Sequence, residues 1–194
     1  MQIPENYTEE KLTIDLVRAN VITLAFFIPV ILIYGLPYIL IWKPAPDISA
    51  FIESASLKGS LFGISSVFMV LIAGIIVHEL IHGLVFALYA DRGFKSVKFG
   101  ILWKYLAPYC HCSEALRVKH YRIAVLAPAV VLGLVPGILA SILGSPGLLV
   151  FGIFFTVAAG GDFLVFNLIR KENRDTLVKD HPSEAGCFVY RENL

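Results

Sequence analysis

The architecture of this chain follows from residues 59–90, which read GSLFGISSVFMVLIAGIIVHELIHGLVFALYA. About 20 apolar helical residues are enough to cross the hydrocarbon layer of a membrane, and this stretch is longer than that. Its one charged residue is Glu79, which follows His78 and precedes His82. The stretch therefore predicts a membrane-spanning helix that carries a small polar group inside it.

The composition of the whole chain is that of a membrane protein. Of its 194 residues, 57% are hydrophobic and 16% are charged, and the mean hydropathy is +0.76. These values lie outside the usual balance of a soluble domain. The formal net charge is only +1, which provides no basic excess for binding nucleic acid. We therefore exclude nucleic acid as a partner.

Other stretches also have the length and composition of spans. Residues 19–42 are uncharged, and so is the run 123–161, which is too long for one crossing and is divided by the Gly-Ser-Pro-Gly turn at 144–147. The prediction is an all-α integral membrane protein forming a single membrane-embedded domain over residues 1–194. Its four transmembrane helices are expected at about residues 19–42, 59–90, 123–143 and 148–169.

The distribution of basic residues predicts the orientation. Loop 91–122 contains seven Lys or Arg residues, whereas the loop after the first span contains two and turn 144–147 contains none. Because basic loops stay on the cytoplasmic side, we expect loop 91–122, the tail 170–194 and the N-terminus in the cytoplasm, with the spans in the plasma membrane. Alternating residues at 94–99, followed by aromatic and branched residues at 101–109, predict a short β-hairpin in the loop.

The polar residues of the second span form a His-Glu-x-x-His sequence. Residues i and i+4 of a helix lie one turn apart on the same face, so His78 and His82 can hold one Zn²⁺ ion together. Glu79 is turned by about 100° from His78, where it can act as general base toward a zinc-bound water. A charge at mid-bilayer costs about 3 kcal/mol, which favours a functional group. The alternative is that these side chains only hydrogen-bond between helices.

A catalytic zinc ion usually takes three protein ligands and one water, so a third ligand is needed. Asp162 is the other charged residue within the predicted spans. It lies eight residues before Arg170, just as His82 lies eight residues before Asp91. At a helical rise of 1.5 Å per residue, both lie about 12 Å inside the same membrane boundary. We therefore predict Asp162 as the third ligand.

Rival ligands lie in the cytoplasmic loop and tail. A loop that dips toward the metal could supply one of four residues instead of Asp162: His111, Glu114, His120 or His181. Cys110, His111 and Cys112 could also hold a metal of their own, although they lack the two-residue gap of a zinc knuckle. With Cys187 they make an odd number of cysteines on the reducing side, so we expect no disulfide framework.

The residues also resemble a known class of enzymes. The run His78–Gly83, HELIHG, in one span and Gly161-Asp162 in a later one resemble the site-2 protease class of intramembrane metalloproteases. The layout from about residue 59 to the tail is still more similar to a family of small zincin peptidases, including Ala127-Pro128 and the segment 180–187. The resemblance implies three core helices around zinc, peptide-bond hydrolysis in or near the membrane, and a surface β-hairpin that pairs with an unwound substrate.

The predicted function is that of a zinc metalloendopeptidase, in which Glu79 assists attack of zinc-bound water on a peptide bond. Its partners would be the lipid bilayer and a membrane-protein or peptide substrate. Two alternatives remain: a membrane metal-ion permease and an inactive zinc-binding membrane scaffold. A permease usually needs several binding stations, whereas the outer halves of the spans lack ionisable residues. A scaffold has no use for a non-ligating base such as Glu79.

Overall fold

A computed structural model describes residues 6–43, 61–103, 107–182 and 184–192. The sequence-based expectations for residues 59–60, for the loop after the first span, and for the tip of the hairpin fall outside this range. The helices are α1 (Leu16–Ile41), α2 (Leu61–Tyr89), α3 (Val118–Pro128), α4 (Val135–Leu143), α5 (Pro146–Ala158) and α6 (Gly160–Ile169). A π-helical segment, Ala129–Leu134, joins α3 to α4, and a short 3₁₀ helix covers Gly93–Ser96.

The described helices include three that are long and apolar enough to cross a membrane, namely Val21–Ile41, Ser65–Tyr89 and Val118–Leu143. The pair α5 and α6 passes the same test together but is bent by 45° at its break, which makes it a fourth candidate span. The prediction of a mostly helical protein with about four candidate spans is thus confirmed. The fourth, however, is broken rather than continuous.

The third candidate span begins earlier than the sequence predicted. Its helix starts at Val118 instead of Ile123, and so it includes two basic residues. Lys119 Nζ lies 2.9 Å from Asp175 Oδ1, and Arg122 Nη2 donates to the carbonyl of Ile169 at 2.6 Å. Both charged side chains lie near the N-terminal end of the helix and bind polar groups there. They therefore do not interrupt the candidate span.

Helix α1 packs tightly against α4 and α5. The hydroxyls of Tyr34 and Thr156 are 3.1 Å apart, and Trp42 Nε1 donates to the carbonyl of Ser141 at 2.9 Å. A Cβ at Gly137 would lie 2.6 Å from the Tyr34 ring, so that glycine permits the close approach. The first span is therefore an integral part of the bundle.

The strands form two antiparallel sheets. The β-hairpin predicted in the loop is present as β2 (Val97–Leu102) and β3 (Ala107–Cys112). A second sheet has the order β1-β6-β5-β4, with β1 at Tyr7–Thr13, β4 at Leu116–Arg117, β5 at Leu177–Asp180 and β6 at Gly186–Glu192. This sheet was not predicted, so the all-α description is incomplete. It joins the segment before α1, the segment between α2 and α3, and the segment after α6.

The sheet closes the core at one end of the bundle. Tyr121 of α3 packs there with Val178, Val189 and the thiols of Cys112 and Cys187, all of them buried. Burial raises the pKa of Cys112 to about 11 and that of Cys187 to about 12. Both thiols therefore stay protonated at neutral pH and pack as small apolar groups.

Candidate metal centre

The structure brings His78, His82 and Asp162 together. His78 Nε2 lies 3.1 Å from Asp162 Oδ2, and His82 Nε2 lies 3.3 Å from Asp162 Oδ1. One donor atom from each of the three residues falls within 4.8 Å of the others. Of the residues that the structure describes, only these three histidine, cysteine or acidic residues form such a group.

Helix α2 aligns the two histidines. They are one turn apart, and their rings meet edge to face with centroids 4.9 Å apart. The two histidines are 9% and 7% exposed, while neighbouring residues such as Ile76, Leu80 and Leu84 point their apolar side chains outward. The helix therefore directs its imidazoles into the bundle and leaves an apolar outer surface.

The third residue lies at the break between α5 and α6. The chain leaves helical geometry at Ala159, with φ −74° and ψ 10°, and resumes it at Gly160. Asp162 is thus in the first turn of α6, where the positive end of the helix dipole stabilises a carboxylate. A Cβ at Gly160 would lie 2.5 Å from Thr23 Oγ1 of α1, whereas nothing lies within 4 Å at Gly161. Another helix therefore approaches closely at Gly160 and not at Gly161.

The hydrogen bonding of His82 leaves its second ring nitrogen available to bind a cation. Its Nδ1 lies 2.9 Å from the carbonyl oxygen of Ala124, and a carbonyl can only accept, so Nδ1 carries the proton. In the neutral ring Nε2 then presents a lone pair to Asp162, a second acceptor. A metal cation between these two acceptors would satisfy both, and so would a proton on Nε2 that makes the ring an imidazolium. Asp162 Oδ2 is also buried, and its 3.1 Å contact with His78 Nε2 does not have the geometry of a hydrogen bond.

Zinc suits this donor set. Zinc bound to imidazole nitrogen and carboxylate oxygen has bond lengths of about 2.0–2.2 Å and tetrahedral angles, which separate its ligand atoms by about 3.3 Å. The two distances from the histidines to Asp162, 3.1 and 3.3 Å, are each close to that spacing, although they run to different oxygens of the carboxylate. The residues present are therefore compatible with zinc held by His78, His82 and Asp162.

Glu79 lies beside this group but outside it. Its carboxylate interacts with the backbone N–H of Cys110 on β3 and with the charges of His78, His82 and Asp162. The hairpin is held close because Gly83 has no side chain: a Cβ there would lie 2.3 Å from the ring of Phe99 on β2. Gly83, the last residue of the HELIHG run, is therefore a point at which the hairpin contacts α2.

The rival ligands are engaged elsewhere. Glu114 accepts the N–H of Asp91 at 2.9 Å and the hydroxyl of Ser96 at 2.7 Å, and it also pairs with Arg92. The ring of His120 stacks on Tyr89 with centroids 4.2 Å apart. His181 Nδ1 accepts the N–H of Glu184 at 2.9 Å. The structure brings none of these three into the group with Asp162.

The fourth rival, His111, belongs to a second buried polar cluster. Asp180 of β5 accepts the N–H of Cys112 at 2.6 Å and the hydroxyl of Tyr121, and His111 Nδ1 lies 3.9 Å from Asp180 Oδ2. Burial raises the pKa of Asp180 and lowers that of His111. This cluster attaches the hairpin to the tail, which is a structural use for the Cys110-His111-Cys112 run.

Two contributors to the site could not have been identified from residue types. Ala124 and Cys110 act through backbone atoms, the carbonyl of one and the N–H of the other. Their side chains carry no signal of these contacts, although the proline four residues after Ala124 is visible in the sequence.

The fold and the site together define a helical protein with a candidate zinc centre between its helices. The chain belongs to the family described as "Putative zincin peptidase", whose model matches residues 71–177, more than half of the chain. Comparisons with curated proteins and with solved structures found no match. Membership in this family supports a zinc metallopeptidase, and the prediction is confirmed at that level.

Proposed function

We propose that this protein is an intramembrane zinc metallopeptidase related to the site-2 proteases. His78, His82 and Asp162 are its metal ligands, and Glu79 is its general base. The observation that carries the proposal is the convergence of both imidazoles on one partly buried carboxylate, with distances of 3.1 and 3.3 Å, between helices that otherwise have membrane-like composition. Such a polar group inside a bilayer is costly and therefore points to a function.

The described surface supports insertion in a membrane. Apolar side chains cover the outside of the bundle, with Leu24 76% exposed, Met69 66% and Leu88 71%. A soluble protein rarely exposes a contiguous apolar surface of this extent. In a bilayer, these side chains face lipid, and the backbone groups are satisfied within each helix.

The four-stranded sheet supports four crossings rather than three. Strands β1, β4 and β5 belong to one sheet, so the chain must be on the same side of the membrane at all three. An even number of crossings must therefore lie between β1 and β4, and again between β4 and β5. Helices α1 and α2 supply the first pair. The span from α3 through α4 and the broken pair α5–α6 supply the second. The basic loop indicates that this side is the cytoplasm.

Each residue of the site has a role in the proposed hydrolysis. A zinc ion held by the three ligands would act as a Lewis acid toward the peptide carbonyl and lower the pKa of water at the site. Glu79 accepts the proton of the attacking water and returns it to the amine nitrogen that leaves. The N–H of Cys110 orients the Glu79 carboxylate for this transfer. Asp162 and the two histidines supply a net negative donor set that retains the divalent cation.

The hairpin is the proposed docking element for substrate. It packs against α2 beside Glu79, and β2 and β3 pair only with each other within the described residues. An outer strand edge offers unpaired N–H and C=O groups to an extended peptide. A membrane-protein segment that has lost its helical hydrogen bonds could therefore pair there and bring one of its peptide bonds to the site.

The rival functions are less well supported. A permease would need further metal stations along the path, and the described residues contain one group capable of holding a metal. A scaffold would need the metal but not Glu79, whose carboxylate lies beside the ligands without belonging to the group.

The test is hydrolysis of a fluorescence-quenched peptide, built on a membrane segment with a helix-breaking stretch, in proteoliposomes. We expect Glu79→Gln to lower the rate by about 10²–10⁴-fold, the usual contribution of a general base. The control is Glu192→Gln, an exposed carboxylate on β6. Chelation should abolish cleavage by the wild-type protein, and added zinc should restore it. Unchanged cleavage by Glu79→Gln would refute the assigned role of this residue.

A further inference from the structure

The contact between His82 and Ala124 depends on a carbonyl that the helix itself does not use. In a regular α-helix the carbonyl of residue 124 accepts the N–H of residue 128. Residue 128 is a proline inside α3, and proline has no N–H to donate. The next N–H, that of Ala129, bonds to the carbonyl of Leu126 instead. The helix therefore leaves the Ala124 carbonyl available.

Because it is buried, the Ala124 carbonyl needs a hydrogen-bond donor. Ala124 is 0% exposed, and a buried carbonyl without a hydrogen bond costs about 1–3 kcal/mol. His82 Nδ1 lies 2.9 Å from this carbonyl oxygen and supplies the hydrogen bond. The proline ring also pushes the carbonyl of the residue four positions earlier away from the helix axis, which directs it outward toward α2.

We propose that Pro128 is a positioning residue for the metal centre: by denying Ala124 its helical donor, it reserves that carbonyl for His82 and so fixes the imidazole with Nε2 toward Asp162. The proposal rests on the proposed zinc site and deepens it. An outer hydrogen bond of this kind orients a metal-binding histidine and selects its tautomer, and losing it typically weakens metal affinity 10–100-fold. The proline on α3 thus acts on zinc affinity through the backbone of its own helix.

The experiment compares zinc dissociation constants of the wild-type protein, Pro128→Ala and Pro136→Ala by competition with a chelator of known affinity. Pro136 lies in the first turn of α4, in the same candidate span but beyond the metal group, so it is the matched control. Pro128→Ala introduces an N–H that competes for the Ala124 carbonyl. We expect its zinc affinity to fall by about tenfold or more, and that of Pro136→Ala to stay within about twofold of wild type.

Thermal unfolding of the metal-free forms separates this effect from a general loss of structure. We expect metal-free Pro128→Ala to retain a cooperative unfolding transition close to that of the wild type, since a helical hydrogen bond replaces the one from His82 and only part of a buried ring is lost. Wild-type zinc affinity in Pro128→Ala would overturn the inference and leave the zinc site intact, whereas absence of zinc binding by the wild-type protein would overturn both.

A second measurement needs no variant and covers the case in which Pro128→Ala fails to fold. Histidine-selective ¹⁵N NMR of the zinc-loaded wild-type protein should show His82 with a proton on Nδ1 and the metal on Nε2. The opposite assignment would overturn the inference.

Discussion

At the scale of single residues, the candidate site is held together by backbone groups as much as by side chains. The Ala124 carbonyl fixes one face of His82, and the Cys110 N–H orients Glu79. The proposed ligands and the proposed base are therefore preorganised by elements that do not themselves carry the chemistry, as an efficient active site requires.

Glu114 provides a pH-dependent test of the turn after α2. Pairing with Arg92, together with hydrogen bonds from Ser96 and the Asp91 backbone, lowers the Glu114 pKa to about 2. A carboxyl group whose pKa is lower in the folded state stabilises it above its unfolded pKa, near 4.3, and this contribution is lost as the pH falls toward 2.

We expect Glu114→Gln to lower the free energy of unfolding in detergent by about 2 kcal/mol at neutral pH. The difference from wild type should shrink below about pH 4.3. The measurement is thermal or denaturant unfolding across this pH range, with exposed Glu192→Gln as the control. A difference that stays constant down to pH 2 would contradict the assigned pairing.

At the scale of elements, the break between α5 and α6 places Asp162 opposite the two histidines. The helix dipole at the start of α6 favours the carboxylate, and Gly160 lets Thr23 of α1 close against the break. In a continuous helix Asp162 would point in a different direction, because the 45° bend between α5 and α6 would be absent. The geometry of the metal group therefore depends on the conformation of this element.

The adjacent glycines supply a matched pair of substitutions. Gly160→Ala places a methyl group 2.5 Å from Thr23 Oγ1, while the same change at Gly161 meets nothing within 4 Å. We expect Gly160→Ala to cost about 1–3 kcal/mol of stability and to weaken zinc binding, because Asp162 follows closely. Gly161→Ala should be neutral or slightly stabilising. Unfolding temperatures and zinc affinities check this, and equal effects at the two positions would contradict the account of the break.

The sequence predicted some of these elements and not others, for physical reasons. The helix with His78 and His82, and the grouping of Asp162 with these histidines, could be predicted because uncharged runs and helical spacing are local properties. The strand Tyr7–Thr13 could not, since its pattern YTEEKLT is mostly polar and its partner, β6, lies near the other end of the sequence. The bend at Ala159 has no proline to mark it. Pairings and bends of this kind are set by tertiary packing.

At the scale of the whole molecule, the four-stranded sheet determines which segments would share one side of the membrane in the proposed four-span arrangement. Gly186 in β6, with φ +146°, lets β1 approach so closely that a Cβ would lie 2.1 Å from the Leu12 carbonyl. This pairing attaches the segment before the first span to the segment after the last. An odd number of crossings between them would be incompatible with the sheet.

Single cysteines test this topology in a background without the native cysteines. We expect an impermeant maleimide to label Gly147→Cys, beside the turn between α4 and α5, in intact spheroplasts. Asn6→Cys and Arg174→Cys, at the sheet end, should react only after permeabilisation. Labelling of all three positions in intact spheroplasts would exclude the four-span arrangement, and labelling of Asn6→Cys and Arg174→Cys alone would invert the orientation.

The measurement closest to the central claim is the zinc content of the purified protein beside three variants. We expect one zinc ion per chain in the wild-type protein, loss of zinc in His78→Ala and Asp162→Ala, and retention in Glu79→Gln, since the base lies beside the ligands without being one. Zinc that persists in Asp162→Ala would place the third ligand elsewhere, and a wild-type protein that binds no zinc would contradict the metallopeptidase assignment itself.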